Sequence, residues 1–270
     1  MSCLKNAQEI TGISLLDRAF HYGDGCFSTA RVRDGAIELE ALHMARLSLT
    51  CERLKLKVDL SLIQQSLSVL EQQFVQLNGT LKIIISRGDG QRGYHLPDHV
   101  ADVWVFFYPH AVQDFEIQKT KSGVLQQALG LTMPSLVGLK SLNRLEQVLL
   151  KHEANQKDWE EALVTDVQGS VVEGVSSNCF IRLKNTWITP ELRYNGVHGV
   201  MRAEILSRMQ KFGIACQQRF IDMEEISKFE SVFFCNALTA MKIATELNQR
   251  PLNVQPCTEL FNILQLNQIH

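Results

Sequence analysis

Two alternating patterns of apolar and polar residues organise the first third of the chain. Short strand-like segments flank Asp34-Gly35, a pair favoured in tight turns, and predict a β-hairpin over residues 27–40. Residues 41–54 and 60–77 place apolar side chains at helical spacing and predict two helices. Two further strands are predicted at residues 81–87 (LKIIISR) and 102–109 (DVWVFFYP). The first of these two strands is a continuous β-branched run, which predicts burial on both of its faces.

A polar stretch at residues 111–121 (AVQDFEIQKTK) interrupts these patterns and predicts a domain boundary. We therefore expect a mixed α/β (α+β) fold with a smaller α/β domain, residues 1–113, and a larger mixed domain, residues 114–270. The larger domain opens with a predicted strand at 123–132 and continues with a helix behind Lys140 that carries Leu142, Leu145, Val148 and Leu149. Its other predicted elements are strands at 161–166, 170–174, 178–184, 186–190 and 231–237, and helices at 201–212 and 259–264.

The composition narrows the class of protein and its partners. The chain has 270 residues, of which 45% are hydrophobic and 21% charged, as in an ordinary globular protein. Its formal net charge is −2 with dispersed Lys and Arg, so we expect no nucleic-acid partner. No apolar run is long enough to span a bilayer, and the first ten residues carry no signal-peptide core, so we expect no membrane association.

The cysteines and histidines add no metal site. Seven scattered cysteines without a CxxC pair fit a reducing cytoplasm, where the thiols pack as small hydrophobic groups. His95 and His99 are four residues apart, but Pro97 between them opposes the helix that would align them. We therefore predict a cytoplasmic protein that binds no metal.

Two segments of the second part of the chain suggest a pyridoxal phosphate site. Lys140 stands just before a helical pattern, and Glu173 just before a Gly/Ser-rich turn. A rigidly held lysine supplies the amine that such a cofactor requires, and a carboxylate at a strand end suits its protonated ring nitrogen. By spacing alone, a solvated lysine and an exposed carboxylate explain the two residues equally well.

Two further segments supply candidate groups for anions. Gly199 directly precedes a predicted helix, so the N–H groups of Val200 and Met201 are candidates for binding a phosphate. The Gly-rich segment at 86–94 contains Arg87, Arg92 and Tyr94, and two arginines can bind carboxylates through paired hydrogen bonds. An ordinary helix start and a flexible loop with solvated arginines are the alternatives.

The order of these segments resembles one enzyme family. DRAFHYGDGCFST, LHMARLSLTCERL, ISRGDGQRGY, GLKSLNRLEQVL, VVEGVSSNCF and HGVMR follow one another between about Asp17 and Met241. The series is similar to the fold-type IV pyridoxal phosphate enzymes, which include branched-chain and D-amino-acid aminotransferases and aminodeoxychorismate lyases. YGDGCFSTARV, ISRGDGQRGY and KSLNRLEQVL resemble the lyases in particular. The resemblance implies a larger domain with a barrel-like sheet and a site in the cleft between the two domains.

The resemblance also implies roles for particular residues. Lys140 would carry pyridoxal 5′-phosphate as a Schiff base, Glu173 would face the ring nitrogen, and Arg46 would bind the phosphate. Asn236 and, more weakly, Ala237 would close the phosphate site. Thr29 would pass a proton during lyase turnover. Three residues would bind substrate, Arg87, Arg92 and Tyr94, with Arg31 added by position only. Ser177 and Asn178 would shape the loop behind the ring, while Asn143 and Arg144 would reach the cofactor or cap the following helix.

The expected function is therefore that of a lyase converting 4-amino-4-deoxychorismate to 4-aminobenzoate and pyruvate, a step of folate synthesis. A fold-type IV aminotransferase for D-amino or branched-chain amino acids is the alternative, because it shares Lys140, Glu173 and the phosphate site. A non-catalytic protein that binds pyridoxal phosphate is a third class, which the presence of Lys140 opposes. The resemblance further implies a homodimer.

Overall fold

The computed structural model describes residues 1–269, which divide into two compact units. One unit consists of Met1–Gln113 together with Leu139–Asn143, and the other of Asp114–Gly138 together with Arg144–Ile269. The segment around Lys140, which the sequence analysis assigned to the second domain, is thus grouped with the first unit.

The first unit is built on a six-stranded antiparallel sheet. Its strands lie in the order β2-β1-β6-β5-β3-β4. They are β1 (Ser2–Lys5), β2 (Gln8–Glu9), β3 (Gly25–Arg33), β4 (Ala36–Ile37), β5 (Gly79–Ser86) and β6 (Asp102–Pro109). The helices are α1 (Arg18–Tyr22), α2 (Glu40–Leu54) and α3 (Ser61–Gln73).

The predicted hairpin between β3 and β4 is confirmed. Asp34 and Gly35 have φ of 49° and 84°, the left-handed backbone that a two-residue turn between twisted strands requires. The two predicted helices are confirmed as well, although α3 ends at Gln73 rather than at Leu77.

The sheet of the first unit has one buried face. Side chains of α2 and α3 pack with Leu81, Ile83 and Ile85 of β5 in a single core cluster. The residues between them in β5, including Ile84, are only half-buried, so burial alternates along the strand. The expectation that β5 is buried on both faces is therefore wrong. Helices cover one side of this antiparallel sheet, and the face opposite α2 and α3, which carries Ile84 and Phe27, is called the open face below.

The segment Leu139–Asn143 joins the first unit through the free edge of β3. The Phe27 N–H donates to the Lys140 carbonyl and the Leu142 N–H to the Gly25 carbonyl, each at 3.0 Å. β4 pairs only with the far end of β3, at Val32 and Arg33, which leaves this edge available. Backbone pairing thus explains why Lys140 belongs to a unit distant from it in sequence.

The second unit contains a seven-stranded sheet and a two-stranded one. The larger sheet runs β12-β11-β10-β13-β14-β15, with β7 pairing parallel to β14. A bridge between Val124 and Leu163 links the chain after β7 to the β8–β9 pair, in keeping with the barrel-like arrangement that the resemblance implies. The strands are β7 (Ile117–Ser122), β8 (Leu163–Thr165), β9 (Val171–Gly174), β10 (Asn178–Leu183), β11 (Thr186–Pro190), β12 (Cys216–Arg219), β13 (Ser231–Asn236), β14 (Thr239–Leu247) and β15 (Arg250–Pro251).

The helices of the second unit are α4 (Leu145–Gln156), α5 (Val200–Lys211) and α6 (Gln255–Ile263). α4 begins after Leu142, which therefore lies outside it, and Leu145, Val148 and Leu149 are exposed rather than packed. The predicted strand at 123–132 is wrong: the strand lies earlier, at β7, where pairing with β14 overrides the polar sequence. Within residues 1–269 no helix is long and apolar enough to cross a membrane.

Candidate active site

Lys140 is held on the open face of the sheet of the first unit. Its backbone carbonyl accepts the hydrogen bond from Phe27, which fixes the residue against β3. Its Nζ lies 4.6 Å from the centroid of the Phe27 ring, a cation–π distance. The side chain is half-buried. A lysine with a paired backbone and an aromatic contact is positioned rather than freely mobile, as covalent chemistry at the amine requires.

Thr29 shares the open face with Phe27. Alternation along β3 places these two residues and Arg31 opposite the core residues Cys26 and Ala30. Arg31 is buried, its Nε lies 3.0 Å from Glu38 Oε2, and its Nη2 donates to the Gln113 carbonyl. Arg31 therefore has an ion-pair partner within the fold, whereas Thr29 presents its hydroxyl on the same face as Lys140.

Arg46 extends from α2 and ends a short polar chain inside the first unit. Its Nη2 donates to Ser28 Oγ at 2.5 Å, and Ser28 Oγ lies 2.6 Å from His43 Nδ1. Because the serine hydroxyl accepts from Arg46, its own proton is directed to His43, whose Nδ1 must then be unprotonated. Burial, and after it the charge of Arg46, lower the pKa of His43 to about 3. Ser28 and His43 thus orient the guanidinium that the resemblance assigns to phosphate.

The side chain of Arg87 is committed to the fold. It is buried, and its Nε donates to Asp24 Oδ2 at 2.8 Å. Its Nη1 and Nη2 donate to the carbonyls of Lys55 and Leu54 at 3.0 and 2.6 Å, at the C-terminus of α2. Burial raises the pKa of Asp24, but hydrogen bonds from Arg87 and Arg18 outweigh it and hold the pKa below its usual value. These contacts give Arg87 a structural role, which differs from the substrate-binding role expected for it.

Arg92 and Tyr94 lie farther along the same loop and are exposed. The loop itself is anchored, because the Gly93 N–H donates to the Tyr22 hydroxyl at 2.9 Å and Arg18 donates to the Gly93 carbonyl at 2.8 Å. The rings of Tyr22 and Tyr94 are 5.6 Å apart. The loop therefore presents Arg92 and Tyr94 to solvent from a fixed base.

Glu173 is a buried carboxylate of the second unit, with 6% of its surface exposed. Its Oε2 accepts from the Val197 N–H at 2.9 Å and from Asn178 Nδ2 at 3.3 Å. Asn178 also donates to the Val197 carbonyl at 2.9 Å. A carboxylate held by donors in a buried position is suited to pairing with a protonated ring nitrogen. Asn178 therefore supports Glu173, as the loop-shaping role predicted.

A second buried carboxylate, Glu161, was missed by the sequence analysis. Its Oε2 accepts from Ser176 Oγ and Ser177 Oγ at 2.7 and 2.8 Å, and its Oε1 from the Ser176 N–H at 3.1 Å. Glu161 is 2% exposed, whereas its neighbour Glu160 pairs with Lys242 at the surface. The sequence Glu160-Glu161 offered no signal of which carboxylate is buried. Glu161 thus fixes the loop that follows Glu173.

Asn236 connects this loop to the turn after β13. Its Nδ2 donates to Ser177 Oγ at 3.1 Å, and its Oδ1 accepts from the N–H groups of Leu238 and Thr239 at 3.0 Å each. Ala237, within the turn, is half-buried. The Asn236 side chain therefore shapes the turn whose amides the resemblance assigns to phosphate.

The N-terminus of α5 fits an anion. Gly199 is its first flanking residue and has no side chain to cap the N–H groups of Val200 and Met201, which are both buried. A Cβ at Gly199 would lie 2.0 Å from Asn178 Oδ1, so the close approach requires glycine. Uncapped amides at a buried helix start, with the helix dipole behind them, are a phosphate-binding arrangement.

Asn143 and Arg144 do not cap α4. Asn143 Nδ2 donates to the Gly23 carbonyl at 3.2 Å, and no side-chain bond caps the helix at Arg144. Burial lowers the pKa of Arg144, while the charges of Glu173 and Glu146 oppose the shift. The capping alternative for these residues is therefore wrong. No group of three or more His, Cys, Asp or Glu that could hold a metal occurs in residues 1–269.

A positioned lysine, a buried carboxylate and an uncapped helix start are the donor set that a pyridoxal phosphate enzyme provides. The family model described as amino-transferase class IV matches residues 25–247, and the chain belongs to this family. Its members of fold type IV depend on pyridoxal phosphate.

Particular relatives divide between two activities. A protein from Vibrio harveyi named aminodeoxychorismate lyase is 31% identical over 233 residues, 84% of each chain. The structure of 4-amino-4-deoxychorismate lyase from Pseudomonas aeruginosa superposes with a TM-score of 0.85 and 32% identity, covering 97% of this chain and 98% of that one. A branched-chain aminotransferase from Thermoproteus uzoniensis has a TM-score of 0.84 at 20% identity, covering 99% and 93% of the chains, and shares the fold.

Proposed function

We propose that this protein is an aminodeoxychorismate lyase that converts 4-amino-4-deoxychorismate to 4-aminobenzoate and pyruvate. The observation that carries the proposal is the difference in similarity within the family. Two lyases are 31% and 32% identical to this chain, whereas the aminotransferases reach at most 24% over comparable lengths.

Pyridoxal phosphate is held in this proposal by residues of both units. Lys140 binds it covalently, Glu173 pairs with the ring nitrogen, and Arg46 with the amides of Val200 and Met201 binds the phosphate. The turn at Asn236 and Ala237 completes the phosphate site. When bound, the cofactor supplies an electron-withdrawing ring that accepts the electron pair left on the substrate carbon.

The chain's own groups then carry the protons. The Lys140 amine removes the ring proton from the carbon that bears the substrate's amine, while Glu173 keeps the cofactor nitrogen protonated. The adjacent C–O bond breaks, and the Thr29 hydroxyl donates a proton to the departing enolpyruvyl group, which becomes pyruvate. The remaining ring becomes aromatic, which makes the step favourable. Arg92 and Tyr94 stay proposed substrate ligands, while Arg31 and Arg87 are bound within the fold.

Two assays of the purified protein test this function. Incubation with 4-amino-4-deoxychorismate is expected to release 4-aminobenzoate and pyruvate in equal amounts. A parallel incubation with D-alanine and 2-oxoglutarate is expected to give much slower turnover. Borohydride treatment of the holoenzyme is expected to fix the cofactor to the peptide containing Lys140, and a label on another lysine contradicts the site assignment.

An aminotransferase acting on D-amino or branched-chain amino acids is the second candidate. It is supported by the family match and by a D-alanine aminotransferase from Bacillus licheniformis, 23% identical over 87% of this chain. Fast transamination without 4-aminobenzoate release would select this candidate, because Lys140 and Glu173 serve either reaction.

We also propose that the protein is a homodimer that works in the cytoplasm. Seven free cysteines suit a reducing compartment. Support for the dimer is an open groove of about 1210 Å³ in the first unit, lined by apolar side chains that include Phe20, Trp104 and Phe106. Exposed apolar patches of this kind are typical of protein interfaces.

A further inference from the structure

Lys82 is a second lysine on the open face of the sheet of the first unit. The β3–β5 register places it directly opposite Thr29, so their Cβ atoms lie about 5 Å apart. Its Nζ lies 5.4 Å from the centroid of the Phe27 ring, the same ring that Lys140 Nζ contacts at 4.6 Å. Lys82 therefore leans toward Lys140, with Thr29 beside it.

The Lys82 ammonium lacks an anionic partner. In residues 1–269, no carboxylate lies within ion-pair distance of it, although the side chain is half-buried. Lys5 offers a direct comparison, because it also stands over an aromatic ring, Trp104 at 5.3 Å, but pairs with Asp102 at 2.9 Å. A partly desolvated cation without a counter-charge, next to a reactive lysine, is suited to an anionic ligand.

Nearby arginines do not serve this purpose. Arg31 pairs with Glu38, and Arg87 pairs with Asp24, so their charges are already compensated. The open face around Thr29 therefore keeps one uncompensated positive charge besides Lys140. Its position next to the hydroxyl that serves the leaving group indicates which part of a substrate it faces.

We propose that Lys82 binds the carboxylate of the enolpyruvyl group that leaves during the lyase reaction. The inference rests on the proposed function, and it names the residue that distinguishes a dianionic substrate from a simple amino acid. Lys82 holds the three-carbon group against Thr29 while the C–O bond breaks, and it remains in contact with the carboxylate of the pyruvate product.

Three variants of the holoenzyme test the role of Lys82. Lys82→Met is expected to raise KM for 4-amino-4-deoxychorismate by about 10- to 100-fold, because a charge-assisted contact is lost. Lys82→Arg, which keeps the charge, is expected to recover much of that loss. Lys5→Met is the matched control, since it removes a ring-stacked lysine from the same sheet, and its KM is expected to stay at the wild-type value.

Product inhibition identifies the part of the substrate that is bound. In Lys82→Met the inhibition constant of pyruvate is expected to rise about tenfold or more, while that of 4-aminobenzoate stays unchanged. An equal rise for both products would show general damage to the site and overturn the inference. A wild-type KM in Lys82→Met would overturn it too. If the wild-type protein itself releases no 4-aminobenzoate, the proposed function fails, and the inference fails with it.

Discussion

At the scale of single residues, Thr29 separates the two candidate activities. Its hydroxyl lies on the same sheet face as Lys140, and its proposed role exists only where an enolpyruvyl group leaves. Lys140 and Glu173 cannot make this distinction, because both reactions of the family need them.

Thr29→Ala is expected to lower lyase turnover by about 100-fold or more, roughly 3 kcal/mol of barrier, through loss of the proton donor. Thr29→Ser keeps the hydroxyl and is expected to retain much of the rate. Any transamination of D-alanine should fall far less in Thr29→Ala, because that reaction has no such leaving group. Both activities are measured at matched cofactor occupancy, and an equal fall in both would indicate a packing role.

His43 gives the protein a specific sensitivity to acid. Burial and the charge of Arg46 lower its pKa to about 3, against an ordinary value of 6.5 in the unfolded chain. As pH falls from 6.5 to 3 the unfolded state binds a proton that the folded state does not. The free energy of unfolding therefore decreases by up to about 1.4 kcal/mol per pH unit in this window, and this contribution is constant outside it.

His43→Gln is expected to flatten that decline, because glutamine accepts from Ser28 without titrating. Urea unfolding between pH 7.5 and 4 measures the slope for wild type and variant. Exposed His152→Gln is the control and should keep the wild-type slope. If His43→Gln is as acid-sensitive as the wild type, protonation of His43 is not the cause.

At the scale of elements, the loop from Gly174 to Asn178 depends on the buried carboxylate of Glu161. Glu161→Gln replaces two hydroxyl-to-carboxylate hydrogen bonds by weaker neutral ones. Because this loop follows Glu173 and also contacts Asn236, the dissociation constant of pyridoxal phosphate is expected to rise on the order of tenfold. Titration of the apoprotein with the cofactor measures it.

Glu153 provides the matched control for Glu161. It is also buried, and it accepts from the N–H groups of Gln126 and Gln127 at 2.8 and 3.1 Å, within the same unit. Glu153→Gln is expected to lower the thermal midpoint without changing cofactor affinity. A similar loss of affinity in both variants would show that general destabilisation, and not the loop, is responsible.

Elements that bury a periodic apolar face were predictable from the sequence, and elements defined by pairing were not. α2 and the hairpin at Asp34 carry their own local signals. β7 has a polar sequence and is a strand only because β14 pairs with it. The same limit applies to the site: motifs identified Lys140 and Glu173, whereas the partners of Arg87, Lys82 and Glu161 depend on the register of distant strands.

At the scale of the whole molecule, the segment Leu139–Asn143 shows how the two units are covalently interwoven. The chain leaves the second unit after Gly138, pairs with β3 of the first, and returns at Arg144. A boundary near residue 113 is therefore one of several crossings. Hydropathy does not reveal such a crossing, because the inserted segment is short and is held by backbone hydrogen bonds.

The proposed homodimer is the prediction that belongs to this scale. Phe20 is 66% exposed and lines the apolar groove of the first unit, where burial against a second copy would stabilise the assembly. Sedimentation at micromolar concentration is expected to give a dimer for the wild type and a dissociation constant at least about tenfold higher for Phe20→Asp, because a buried unpaired carboxylate opposes association. Val75→Asp is the control: Val75 is fully exposed but does not line the groove, so its dimer should be unchanged. A monomeric wild type would remove the proposal, and equal weakening by both substitutions would assign the effect to net charge rather than to the groove.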